Sequence, residues 1–346
     1  MKTDLQSMSY EEISELIKSM GQPQYRAMQL FKWAQAGVDI DSMSNLSKEL
    51  RGRLNEECFV YTPKIVRKLV SKLDGTAKYL FELNDGQMIE SVVMKYKHGN
   101  TICVSSQAGC RMGCSFCAST LNGLARNLRP SEILGQIVAA QNDTGERISN
   151  IVMMGIGEPL DNYENVIKFL QLVNSENGLN IGLRHISLST CGLADRIRQL
   201  AEEDLPVTLS ISFHAPDDEK RKKLMPIAKK WSIDQLLSSC KYFFEKTGRR
   251  ISFEYTLISG ENDSGEDAAA LASRLKKGLG GGIPIHVNLI RLNEVSERSY
   301  TRSDTEAVNS FCKKLESLGI NATVRRRLGP DINASCGQLR YESSVT

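Results

Sequence analysis

Residues 101–117 read Thr101-Ile102-Cys103-Val104-Ser105-Ser106-Gln107-Ala108-Gly109-Cys110-Arg111-Met112-Gly113-Cys114-Ser115-Phe116-Cys117. The run Thr101 to Ser106 is strand-like. Three cysteines then follow at CxxxCxxC spacing on one loop, close enough in sequence to converge on a single centre. Gly109 and Gly113 let the backbone fold back where a side chain would obstruct it. A structural zinc site would want a fourth Cys or His, yet Cys103 lies on the preceding strand and His98 is farther still. A 4Fe–4S cluster with three protein ligands leaves one iron open for an exchangeable ligand.

Downstream, strand-like runs at Asn150–Met154, His185–Thr190, Val207–Phe213, Ile251–Leu257, Ile285–Ile290 and Thr323–Arg325 alternate with helical stretches such as Ser131–Gln141, Asn162–Val173 and Ser232–Thr247. Such alternation argues for an α/β fold in which parallel strands and crossover helices form a barrel or part of one. Residues 214–230 read as a long charged loop. Upstream, Asp74-Gly75 and Asp85-Gly86 mark hairpins in a strand-rich stretch. Earlier still, Ser9-Tyr10-Glu11-Glu12 is a capping box ahead of Ile13, Leu16, Ile17 and Met20 on one helix face. Further helices carry Ala27, Leu30, Phe31 and Ala34, then Leu46, Leu50 and Leu54. The expected division is a helical domain over 1–62, a β-hairpin extension over 63–100 and a partial-barrel core over 101–346.

The 346 residues carry a net charge of +3, which permits a polyanionic partner without demanding one. No apolar run approaches the ~20 residues of a membrane span, and the N-terminus lacks a secretory pattern. A cytoplasmic setting is expected, where nine cysteines are not a disulfide framework.

The cysteine spacing, with Phe116 before the last cysteine, resembles the radical S-adenosylmethionine (SAM) superfamily, whose fold is a partial parallel β/α barrel. In that superfamily the open iron binds the amino and carboxylate groups of SAM. Met154-Gly155-Ile156-Gly157-Glu158-Pro159 follows a strand and precedes a helix, and it resembles the loop that meets the SAM amino group. Gly157 and Glu158 are thus candidate cofactor contacts. Ser189, Ser212-Phe213-His214 and Asn293 lie at or just after the ends of later strands, where barrel ligands gather, and complete that candidate set.

Cys336 sits beside Gly337 in an irregular small-residue segment, and accessible thiols are the reactive ones. Together, Cys103-Val104-Ser105-Ser106-Gln107, Gly157-Glu158-Pro159-Leu160-Asp161-Asn162 and Ala334-Ser335-Cys336-Gly337-Gln338-Leu339 resemble the bacterial dual-specificity adenine-C2 methyltransferases of RlmN type. The likeness covers nearly the whole chain. It departs at Glu294, where relatives often carry proline, and at Asn333 and Ser335, where Asp and Ala are common. The resemblance implies two SAM per turnover: one methylates Cys336, and the other yields the 5′-deoxyadenosyl radical that activates that methyl group. Cys103 then releases the RNA adduct, leaving a Cys103–Cys336 disulfide for an external electron donor to reduce. Glu90 matches the family's proton acceptor, although a lone Glu on a strand is by itself usually solvated. The implied substrates are adenosine 2503 of 23S rRNA and adenosine 37 of certain tRNAs.

Two other readings stay open. One is a C8 adenine methyltransferase of the Cfr type, and the other is a non-catalytic RNA-binding protein with a structural metal. The basic runs Lys220–Lys223, Lys229-Lys230, Arg249-Arg250 and Arg325–Arg327 read as solvated surface. Arg325–Arg327, which lead towards Cys336, are the best candidates for phosphate contacts.

Overall fold

The computed structural model describes residues 2–334; Cys336 lies outside them. Helices α1 (Tyr10–Ser19), α2 (Tyr25–Gln35) and α3 (Lys48–Glu57) form an N-terminal bundle. Ser9 and Glu12 make the expected reciprocal cap on α1, satisfying backbone N–H groups that the first turn leaves over. Ile13, Ile17, Ala27, Leu30, Phe31, Leu50 and Leu54 form one buried cluster that also takes in Leu172. The bundle is thereby docked on the rest of the chain, with Lys168–Glu12 (2.6 Å) and Ser131–Asp4 (2.5 Å) at its margin.

A ten-stranded sheet carries most of the rest, and a separate two-stranded antiparallel ribbon, Gln107–Gly109 with Leu124–Asn127, flanks the cysteine loop. Strands β1 (Lys64–Val70), β2 (Ala77–Glu82), β3 (Met88–Tyr96) and β4 (Gly99–Cys103) pair antiparallel in sequence. The Asp74-Gly75 and Asp85-Gly86 turns lie between them, with φ of 72° at Gly75 and 78° at Gly86. From β4 onward every pairing within this sheet is parallel. The order continues through β5 (Ile148–Met153), β6 (Ile186–Thr190), β7 (Thr208–Ser212), β8 (Ile251–Leu257), β9 (His286–Arg291) and β10 (Asn321–Val324). Strand order is therefore chain order, from β1 at one edge to β10 at the other, and the barrel stays open. The strand-rich extension is continuous with the barrel through β4.

Helices α4 (Pro130–Thr144), α5 (Tyr163–Asn174), α6 (Ala194–Ala201), α7 (Asp218–Leu224), α8 (Ile233–Thr247), α9 (Gly265–Leu279) and α10 (Thr305–Ser317) lie in the crossovers. Their apolar faces and the strands build one continuous core in which β8 is buried along its whole length, as a sheet covered by helices requires.

One local expectation is overturned. Residues 214–230 are not a charged loop: they contain α7 and a 3-10 turn at Pro226–Lys229. Asp217 caps α7 by accepting from the Lys220 N–H at 2.8 Å. Arg221 and Leu224, three apart, face inward while Lys222 and Lys223 face solvent. The run of like charges hides a helical period.

Candidate active site

The segment after β4 is fastened before the cysteines begin. Gln136 on α4 is buried; its amide accepts from the Ser105 N–H (2.8 Å) and donates to the Ser105 carbonyl (2.9 Å). Ser105 Oγ donates to the Glu90 carbonyl (2.7 Å) and accepts from the Ile156 N–H (3.0 Å). Gln107 Oε1 accepts from the Glu158 N–H at 2.8 Å, and Asn162 donates to the carbonyls of Ser106 and Leu128. The two motifs centred on Gln107 and Asn162 are thus one hydrogen-bonded unit. Gly109 and Gly157 are obligatory in it. With φ of 80°, a Cβ on Gly109 would lie 2.0 Å from the Gly123 carbonyl oxygen; on Gly157 (φ 108°) it would lie 2.6 Å from Gln107 Cβ.

The cysteine loop is held by its own neighbours. Thr120 Oγ1 donates to the carbonyls of Cys114 (3.2 Å) and Cys117 (2.9 Å), and Arg298 donates to Thr120 Oγ1 (3.0 Å). On the other side the Ser115 N–H donates to Leu224 O at the end of α7 (2.9 Å). Arg111 pairs with Asp161. Cys110, Cys114 and Cys117 all line one cavity of about 270 Å³.

The donor set fits a cluster. Cys110, Cys114 and Cys117 line the same cavity, and a cluster takes one such sulfur on each of three irons. Burial pushes the Cys110 thiol up to about 12; the Met112 N–H opposes this, while Glu158 and Cys117 add to it. Burial likewise pushes Cys114 well up, reinforced by Cys117 and Cys110. Thiols that resist ionising together become thiolates when a cation arrives.

The same cavity is lined by Gly157, Glu158, Ser189, Ser212, His214 and Asn293, so the strand-end residues do converge. Glu158 is buried, and its carboxylate accepts from the N–H groups of Leu160 (3.0 Å) and Cys191 (2.7 Å). Burial raises its pKa against those hydrogen bonds. Thr190 and Cys191 side chains also bond it, and a carboxylate that lines the cavity is a fitting acceptor for an ammonium group. His214 Nδ1 accepts from the Thr256 N–H at 3.0 Å, and its ring meets Phe116 edge-on at 5.1 Å. Burial, helped by the Arg221 charge, lowers its pKa to about 3. His214 is a neutral imidazole whose Nε2 carries the proton.

Phe213 turns its side chain away from this cavity. Its ring is fully buried in the core, edge-on to Phe253 at 5.8 Å, because consecutive residues at a strand end face opposite sides. Glu254 and Cys191 line the cavity unforeseen. Glu254 accepts from Asn288 (2.7 Å) and Ser252 (3.0 Å). Arg221, expected at the surface, is fully buried. It donates to the carbonyls of Cys191 (2.7 Å), Phe213 (3.2 Å) and Ser212 (3.3 Å), and its Nη1 has no partner among the described residues. A buried guanidinium under the cysteine loop suits an anionic neighbour.

A second cavity, of about 440 Å³, meets the first at Met154, Ile290, Leu292, Asn293 and Arg325. Cys103 lines it, with Arg291, Arg302, Arg326 and Arg327. Cys103 lies opposite Val92, and Val92 opposite Lys78, so the three share one row across β4, β3 and β2. Glu90 lies two residues from Val92 and hence on the same face. It is buried rather than solvated, paired with buried Lys78 at 3.1 Å. Ala334 also lines this cavity, two residues before Cys336 in sequence.

An open parallel barrel with a three-cysteine loop and a strand-end cavity defines a radical SAM enzyme, a class that uses a 4Fe–4S cluster and SAM. The radical SAM superfamily profile matches residues 104–272, and that of the ribosomal RNA large subunit methyltransferase N-terminal domain matches residues 3–60. A crystal structure of a radical SAM methyltransferase from Sphaerobacter thermophilus superimposes with a TM-score of 0.91 at 42% identity, covering 97% of this chain and 98% of that one. A probable dual-specificity RNA methyltransferase RlmN from Alkaliphilus oremlandii is 54% identical over 98% of both chains. Its counterpart from Clostridium botulinum is 54% identical over 95% of this chain and 94% of its own. The chain belongs to the RlmN family of radical SAM methyltransferases. Of the open readings, the enzyme stands and the non-catalytic binding protein falls. Among the described residues no helix is long and apolar enough to cross a membrane.

Proposed function

We propose that this chain methylates C2 of adenine in RNA, at adenosine 2503 of 23S rRNA and adenosine 37 of tRNA, through a methyl group carried on Cys336. The junction of the two cavities is the observation that carries this reading. Cys110, Cys114 and Cys117 hold the cluster beside Gly157, Glu158, Ser189, Ser212, His214 and Asn293, which hold SAM. When bound, cluster and cofactor supply one-electron cleavage to a 5′-deoxyadenosyl radical. Two SAM serve each turnover, one as methyl donor and one as radical source.

On the SAM side, Glu158 accepts from the ammonium group and neutral His214 offers its Nε2–H. On the RNA side, the arginines neutralise phosphates while the target base leaves its stack, at a cost of a few kcal/mol. Glu90 takes the proton lost from the adduct. The Cys103 thiolate attacks the thioether sulfur, the S–CH2 bond breaks, and the methylene carbon takes a proton to become the methyl group; the Cys103–Cys336 disulfide left behind is reduced by two electrons from an external cytoplasmic donor. Anaerobic incubation with 23S rRNA and tRNA, followed by nucleoside mass spectrometry, tests the reading. It predicts 2-methyladenosine. 8-Methyladenosine as the sole product would assign the Cfr chemistry instead.

A further inference from the structure

The segment that leads to Cys336 is fixed both to the turn between β1 and β2, which none of the chemistry above uses, and to the wall of the second cavity. Asp331 accepts from Ser71 Oγ (2.6 Å) and from the Lys72 N–H (3.0 Å). Asp74 accepts from the Gly329 N–H (2.9 Å). Gly329 has a φ of 55°, and a Cβ there would lie 2.7 Å from Ala334 Cβ and 3.2 Å from Thr76 Cγ2. Four residues on, the Asn333 carbonyl accepts from Lys78 Nζ at 3.1 Å. That ammonium is the one paired with Glu90, at 3.1 Å. Leu328 and Ala334 pack on Val92, Met94 and Cys103. Both flanks of the segment are thus tied to the turn between β1 and β2 or to the wall of the second cavity.

We propose that residues 71–76 are a clamp for residues 329–334, and that Lys78 is a positioning residue joining this clamp to Glu90. The chain then sets out for Cys336 from a fixed point on the wall that carries Cys103. The inference rests on the reading of Cys336 as methyl acceptor. The ties are cooperative in kind: Lys78 and Glu90 are both buried, so each needs the other's charge, and Asp331 and Asp74 grip backbone N–H groups that otherwise exchange with water. Without the clamp, the segment loses its registration on the cavity while the cysteine loop, on the far side of the junction, keeps its own supports.

The test uses the reconstituted holoenzyme and three variants. Asp74→Ala/Asp331→Ala severs the turn without touching the buried pair, Lys78→Met breaks the pair, and Lys78→Arg conserves the charge. Amide exchange at Lys72 and Gly329 and methylation of the Cys336 peptide are read by mass spectrometry, with iron content and SAM affinity alongside. The double variant should exchange those amides, and lose Cys336 methylation rate, by about tenfold each, while iron and SAM affinity hold. Lys78→Met should lose methylation in the same way and Lys78→Arg should recover it. Unchanged exchange in the double variant overturns the clamp. So does released exchange with methylation at the original rate, or methylation lost only in step with iron. Wild-type protein with no methyl on Cys336 sinks the proposed function instead, and the exchange data still decide the clamp.

Discussion

The two cavities share a wall but are made of opposite materials. In the first, Cys110, Glu158, His214 and Glu254 are buried, and the loops that carry the ligands are sewn by buried amides such as Gln136, Gln107 and Asn162. In the second, Arg326 and Arg327 are exposed at the mouth, and Val92, Met94 and Cys103 are the buried part of its wall. A site for a reactive radical needs fixed donors and little water. A site for RNA needs charges that can follow phosphates. On the function proposed above, the contrast would divide the reaction between the two cavities, and that division can be broken from either side.

The largest effect is expected at the cysteine loop. Cys114→Ala should lose nearly all iron and sulfide and all methylation, while RNA affinity is unchanged. A variant that lost RNA binding as well would show that the halves are not separable. Next comes Glu158→Gln, which turns one carboxylate oxygen into a donor facing the N–H of Cys191 or Leu160. Loss of the charged acceptor for the ammonium group costs about 1.5–3 kcal/mol, so SAM affinity should fall by about tenfold or more, measured by equilibrium binding to the reconstituted protein. Arg326→Ala should act on the other half alone. RNA affinity should weaken, and the slope of log affinity against log salt should fall by about 1, with SAM affinity untouched.

The last effect falls on stability rather than on either cavity's chemistry, as a pH dependence. His214 is neutral in the fold, with a pKa near 3, whereas the unfolded imidazole titrates around 6.5. The unfolded chain therefore binds the extra proton as pH falls below that value and the folded chain does not, so stability is lost between roughly pH 6.5 and 3. His214→Gln should flatten that part of a denaturant-midpoint profile. An unaltered slope would mean that the ring is not buried neutral.

Much of this could be read from the chain because the signals were local. The cysteine spacing, the capping box at Ser9 and the strand–helix alternation each depend on residues a few places apart. What escaped depended on direction or on distant neighbours. Phe213 was grouped with Ser212 and His214, although strand alternation alone sends it to the other side. In β8, Ser252, Glu254 and Thr256 alternate with Ile251, Phe253 and Tyr255; that period of two already marked a polar lumen, and it was the available clue to Glu254. Arg221 looked like surface because three lysines share its run, and only the cap at Asp217 shows that the run is helical. Glu90 looked solvated because its partner, Lys78, sits on the neighbouring strand, and no spacing rule pairs them.

The most direct test joins the two cavities in one covalent product. Cys103→Ala protein with an intact cluster is incubated anaerobically with RNA, SAM and reductant, then digested and analysed by mass spectrometry. The account predicts an adenine-containing adduct bridged by one carbon to the peptide bearing Cys336, and its absence when Cys114→Ala is added. Clean release of methylated RNA by the Cys103→Ala protein, or an adduct that forms without the cluster, would contradict it.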